Sequence, residues 1–222
     1  MSESTIIIER SERVGTIKLN RPKAYRKLIN ELLDALRSFD RDSSIGAIIL
    51  TGNDKGLCTG ADIKEQSELS FMNAYNQDYL KNLNDGFLTV HKLVVGVING
   101  IAPEITLGTI PGAGGTQHLI RAIGNSKAMH MILTGEMISA KEAEAVGLAA
   151  KILPPKELFT GKIASFSAPV VAMAKEAVNE AEELGLRTSL HLESRLYHAT
   201  LGLQDHAEGF QALLARPKCA PQ

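Results

Sequence analysis

The chain has no tryptophan, only two cysteines and 5% aromatic residues. It has no excess of either charge: 24 Lys and Arg stand against 25 Asp and Glu, a formal net charge of −1. Each scarcity excludes something. Cys58 and Cys219 are too few for a disulfide framework or a cysteine-based zinc site, and they fit a reducing compartment. The balanced charge excludes the basic footprint of a nucleic-acid binder and a strongly charged interaction tail. No apolar run approaches the roughly 18 residues of a membrane span. The stretch Met1–Arg13 mixes acids with bases and holds one short run of isoleucines, unlike a signal or import peptide. What is present is ordinary: 222 residues, 44% hydrophobic and 22% charged, enough to bury a core without covalent staples. At about 150 residues per domain, that length is one large domain or a domain with a lobe.

Short apolar runs alternate with helical periodicity over the first hundred residues. Thr5–Glu9 and Val14–Leu19 are β-branched and short, and are predicted to be two strands joined by a polar turn. Leu28, Ile29, Leu32, Leu33, Leu36 and Phe39 recur at helical spacing and predict an amphipathic helix over 26–39, with Pro22 before it as a start signal. IGAIILT, at 45–51, is apolar throughout, as a strand covered on both faces is. A polar, glycine-containing loop follows, then a helical stretch over about 65–91, then a second buried strand at 93–98. The order β-β-α-β-α-β predicts an α/β fold. Beyond Gly115 the pattern is helical, over 116–123, 127–133, 140–146, 171–184, 189–201 and 207–215, with a further strand considered only at 149–153. Gly124, Gly135, Gly147 and Gly185 stand where helices are expected to end. Ser139 followed by Glu142 reads as a capping box. These patterns divide the chain into an α/β core, 1–124, and a helical lobe, 125–222.

Generic catalytic signatures are missing: no GxSxG, HExxH, phosphate-loop GxxxxGK[ST] or paired CxxC occurs. His191 and His198 lie two turns apart on one expected helix, but two ligands without a third do not make a metal site. Two segments stand out. In Gly56–Glu65 (GLCTGADIKE), small residues let a ligand approach the backbone, and free N–H groups at a helix start suit an oxyanion. An ordinary glycine loop with Asp62 as helix cap is the plainer reading of those residues alone. In Pro103–Gln117 (PEITLGTIPGAGGTQ), Glu104 has apolar neighbours, which raise a carboxyl pKa and suit it to general acid–base work. A surface glutamate beside a tight turn fits the same pattern equally well. The glycines at 112, 114 and 115 then open a helix.

At these segments the chain resembles the enoyl-CoA hydratase (crotonase) family, along nearly its whole length. The resemblance is carried by IKLNRPKA (17–24), GAIILTG (46–52), TGADIKE (59–65), VVGVING (94–100), PEITLGTIPGAGGTQHLIRAIG (103–124), LTGEMISAKEAEAVGLAAKI (133–152), VAMAKEAVNEA (171–181) and AEGFQALLARPK (207–218). It implies a spiral of ββα units followed by an α-helical lobe used in trimerisation, with hexamers common. It implies an acyl-CoA thioester substrate and an enolate held by two backbone N–H groups, with no cofactor, CoA being part of the substrate, and no metal. By resemblance Ala61 supplies one oxyanion N–H, Ala61, Asp62, Ile63 and Lys64 cradle the CoA chain, Glu104 is one of two catalytic glutamates, and Gly112 lies near the attacking water. The mitochondrial matrix is the compartment the family suggests, with the cytoplasm as the alternative.

The chain departs from the family at one place. Asn99-Gly100-Ile101-Ala102 runs directly into Pro103-Glu104, where the family carries an A-L-G-G-G-x-E-L segment and a further strand. About two dozen family residues are absent, far outside ordinary loop variation. By resemblance that piece holds the second oxyanion glycine, the other catalytic glutamate, their helix and the next strand. An abrupt join between well-matched flanks is the mark of an in-frame excision, such as a skipped exon. Smaller departures are Arg26 and Lys27, where the family has Asn and Ala, a shortened 154–168 region, and Cys219 where an aromatic is usual. Three functions follow as expectations: a hydratase of impaired rate, a single-glutamate enoyl-CoA isomerase, and a non-catalytic subunit that binds acyl-CoA or joins oligomers.

Overall fold

A computed structural model describes residues 4–20, 25–52, 68–97, 105, 110–152 and 160–215. The chain forms two compact units, Met1–Ser165 and Phe166–Gln222.

The first unit is built on a four-stranded sheet in the order β1-β2-β3-β4. β1 (Ile6–Ser11) and β2 (Val14–Leu19) form an antiparallel hairpin, with Glu12 in the turn at φ 50°. β3 (Ala47–Thr51) pairs parallel with β2, and β4 (Leu93–Val97) parallel with β3. Between β2 and β3 runs α1 (Tyr25–Arg41), the crossover that a parallel pair requires. Its apolar stripe puts Ile29, Leu32, Leu33, Leu36 and Phe39 into one cluster with Ile17, Ile48 and Leu50 from the sheet. Leu36 is 0% exposed and Phe39 1%, so this face carries most of the hydrophobic stabilisation of α1. β3 is buried residue after residue from Ala47 to Leu50, as its unbroken apolar run predicts.

The helical stretch expected over 65–91 is not one helix; its residues 65–67 lie outside those described. Two helices stand there, α2 (Phe71–Asn76) and α3 (Lys81–Leu88). Ser70 caps α2 through its side chain. The chain is interrupted between them because Asp78 (φ 46°) and Leu80 (φ 73°) take left-handed conformations that no α-helix continues through. α3 then lies close on α1: a Cβ at Gly86 would stand 2.2 Å from Leu33 Cδ2, so only glycine permits this approach.

The end of α1 is tied to the start of β4. Asp40 accepts hydrogen bonds from the backbone N–H of His91 (3.0 Å) and Lys92 (2.9 Å), and pairs with the His91 ring at 2.9 Å. Lys92 Nζ donates to the carbonyls of Phe39 and Asp42, both at 2.6 Å. Burial works against ionised Asp40, but the His91 and Lys92 hydrogen bonds outweigh it and hold its carboxyl below the usual range. Burial likewise lowers the Lys92 ammonium, partly offset by Asp40 and Asp42.

Further along this unit lie α4 (Gly115–Ile123), α5 (Asn125–Thr134), α6 (Ala140–Ala145) and α7 (Thr160–Ala164). Gly124 and Gly135 cap α4 and α5, and Gly147 follows α6 with φ 82°, where the sequence places helix ends. The Ser139 side chain accepts from Glu142 N at 3.2 Å, the serine half of the expected capping box, while the Glu142 carboxylate pairs with Lys127 Nζ. Residues 149–152 form no strand, against the strand considered at 149–153; Ala149 N instead closes back on Ala143 O at 3.0 Å, and residue 153 is not among those described. Periodicity does not announce α7, which packs on β3 with Ala164 2% exposed.

The second unit holds α8 (Ala168–Glu183), α9 (Leu186–Thr200) and α10 (Gln204–Leu214). Pro169 stands in the first turn of α8, and Gly185 separates α8 from α9. Ser167 donates through its hydroxyl to Asp205.

Candidate functional site

β3 and β4 are neighbouring parallel strands, and their last residues, Thr51 and Val97, are partners in register. β3 and β4 therefore end side by side at the same carboxyl end of the sheet, and in the sequence the segments that carry the candidates follow those two ends. In open α/β sheets that end is where ligands bind. Ala61, Asp62, Ile63, Lys64 and Glu104 themselves lie outside the described residues.

Gly112 is described. It sits in the exposed turn Pro111–Gly114 that leads into α4. Gly114 takes φ 78° and starts the helix, its carbonyl accepting from Gln117 N and His118 N, both at 3.0 Å. A side chain at 114 would meet the His118 ring at 2.9 Å, so both conformation and space ask for glycine there. A Cβ at Gly112 would stand 3.1 Å from Leu80 Cδ1, which places the turn directly on the interruption between α2 and α3.

Leu80 is the residue that sequence patterns miss. It is 9% exposed and belongs to the core cluster, yet its backbone is left-handed, which costs about 1–2 kcal/mol for a residue with a Cβ. Nothing in the run Asn76-Gln77-Asp78-Tyr79-Leu80 signals this, because what surrounds Leu80, the core cluster and the Gly112 turn, is distant in sequence. Beside Leu80 opens a cleft of about 450 Å³. Its apolar lining includes Ile29 and Leu80, and its polar lining includes Asn30, Asn82 and Asp85.

No group of three or more His, Cys, Asp or Glu able to hold a metal occurs among the described residues. His191 and His198 are both exposed on α9. Among the described residues no helix is long and apolar enough to cross a membrane.

Comparison with known proteins adds a second line of observation. The profile of the enoyl-CoA hydratase/isomerase family matches residues 9–103 and again 101–220. A probable mitochondrial enoyl-CoA hydratase of Dictyostelium discoideum is 41% identical, covering 96% of this chain and 88% of its own length. A probable enoyl-CoA hydratase of Rhizobium meliloti is 40% identical, covering 98% of each. A crystal structure of an enoyl-CoA hydratase subunit from Geobacillus kaustophilus superposes with a TM-score of 0.89 at 27% identity, covering 98% of both chains. The profile match is broken at 101–103, where the sequence departs from the family. The Rhizobium alignment runs over 252 positions against the 222 residues of this chain, so at least 30 of them are gaps on this side.

Proposed function

The chain belongs to the enoyl-CoA hydratase/isomerase family and is hydratase-like; from that premise we propose that it binds 2-enoyl-CoA thioesters and adds water to them at a much reduced rate. One observation supports the reduced rate: the family profile matches this chain in two pieces, 9–103 and 101–220, that meet at residues 101–103 rather than as one continuous match.

In this reading the Ala61 N–H donates to the thioester oxygen as the enolate forms. Ala61, Asp62, Ile63 and Lys64 bind the CoA chain. Glu104 takes a proton from water as its hydroxyl adds to C3, and returns that same proton to C2. Gly112 lines the path of that water. The residues absent at the junction would have supplied a second oxyanion donor and a second glutamate. Loss of one such donor costs roughly 10²–10³ in rate, and loss of a general acid–base group roughly 10²–10⁴. The two losses do not multiply, since groups that act together are non-additive. The chain needs no cofactor in this scheme. Its compartment is the mitochondrion, which the Dictyostelium relative's name supports, the matrix being what the resemblance implies and the cytoplasm the alternative, and it works as a homo-oligomer, a trimer or hexamer. The surviving single glutamate favours one alternative, an isomerase that shifts the double bond of 3-enoyl-CoA.

Hydration of crotonyl-CoA, followed by loss of enoyl absorbance, tests the reading. A slow rate abolished by Glu104→Gln is expected. An unchanged rate in that variant would assign the activity to a contaminant, and a double-bond shift without hydration would select the isomerase.

A further inference from the structure

The segment between α2 and α3 carries two left-handed residues with side chains, Asp78 and Leu80, within three positions. Such conformations persist only where the surroundings over-determine them, and they gather at sites where geometry must be held. The surroundings here are specific. The Leu80 carbonyl accepts from Leu83 N (3.1 Å) and Asn84 N (3.3 Å) and so starts α3, and Lys81 N donates to Asp78 O at 2.9 Å. The Leu80 side chain lines the 450 Å³ cleft together with Ile29. The same side chain meets the Gly112 turn, its Cδ1 standing 3.1 Å from the place of a Gly112 Cβ. One turn further into α3, Asn84 Oδ1 lies 3.7 Å from the corresponding point on Gly114.

Gly112 has no side chain with which to anchor itself, and its turn is exposed and outside the sheet ladder. Its position must therefore be set by what it rests on. We propose that Leu80 is a positioning residue: held in its left-handed conformation, it sets the place of the Gly112 turn from the wall of the adjoining cleft. The inference rests on the thioester reading above for what the turn meets, and on the contact itself for how the turn is held.

Two measurements on the full chain test it: amide hydrogen exchange, which needs no substrate, and calorimetric titration with acetoacetyl-CoA. Leu80→Ala is expected to speed exchange over 112–118 selectively, leaving β2 and β3 protected. It is expected to weaken acetoacetyl-CoA binding by about tenfold or more, as small displacements in a binding site do. Leu80→Met, which refills the space, restores both. Leu36→Ala, a core truncation away from the turn, lowers the melting temperature without the selective exchange. Should Leu80→Ala fail to fold, Gly112→Ala presses on the same contact from the other side and is expected to give the same pair of changes. Faster exchange spread evenly over the unit, or reproduced by Leu36→Ala, would overturn the positioning role. So would unchanged acetoacetyl-CoA binding in a Leu80→Ala protein whose parent binds it, and the thioester reading would then stand. If the parent chain takes up no acetoacetyl-CoA, the thioester reading fails, and the exchange measurement alone decides whether Leu80 holds the turn.

Discussion

The two units of this chain bury their apolar residues very differently. In the α/β unit, Ile17, Leu36, Phe39 and Ile48 are between 0% and 1% exposed. In the helical unit no residue of α8 or α9 is buried, and Val178, Leu186, Leu190, Tyr197 and Phe210 are between 53% and 76% exposed. The difference teaches where the folding free energy resides. Burial of α1 and β3 against one another gives the first unit a core of its own, whereas α8 and α9 contribute no buried residue; exposed apolar side chains occur in both units, Phe71 and Leu88 being 77% and 78% exposed in the first.

Several measurements break or sharpen the contrast. The largest effect is expected from Leu36→Ala, which empties a fully enclosed site and should cost about 2–5 kcal/mol in urea unfolding. Gly86→Ala comes next. Its methyl would stand 2.2 Å from Leu33 Cδ2, and separating α1 from α3 should cost about 1–3 kcal/mol. Losing the Ser139 cap by Ser139→Ala should cost about 1 kcal/mol, seen as a fall in melting temperature.

The acid limb tests the Asp40 tie. The folded-state pKa of Asp40 lies below its unfolded value, so its contribution to stability is complete above about pH 4. It is lost as the pH falls further, through the folded pKa. Melting temperatures between pH 2 and pH 6, measured for the parent and Asp40→Asn, should differ above about pH 4 and converge below it. The smallest effect belongs to the helical unit: Leu190→Ala should change the stability of a monomer by no more than about 0.5 kcal/mol. A larger loss that depends on protein concentration would show that face to be covered by another copy.

Much of the α/β unit is legible in the sequence because its signals are local. The period of Ile29, Leu32, Leu33, Leu36 and Phe39 is the period of a helix face, and the structure buries that face. The unbroken apolar run at 45–51 marks a strand covered on both sides, and β3 is that strand. The helix-ending glycines and the Ser139 cap are likewise chemical properties of single residues. The break at Gln77–Leu80 is not legible, since Leu is a good helix former and the place of Leu80 in the core cluster and against the Gly112 turn depends on residues distant in sequence. The short α7 escapes for the same reason: its five residues carry no period, and its place is decided by packing on β3.

The candidate site divides the same way. Ala61, Asp62, Ile63, Lys64 and Glu104 come from motif and resemblance, as does the break at Ala102–Pro103, and the family profile parts at that same point. By itself the sequence determined the α/β class, the family and the interruption, because residue type and spacing encode them directly. The tertiary structure alone decided that β3 and β4, distant in the chain, end side by side at Thr51 and Val97. It also decided that Leu80 meets Gly112. Register and cross-chain contact depend on how far-apart residues pack, and no local pattern records that.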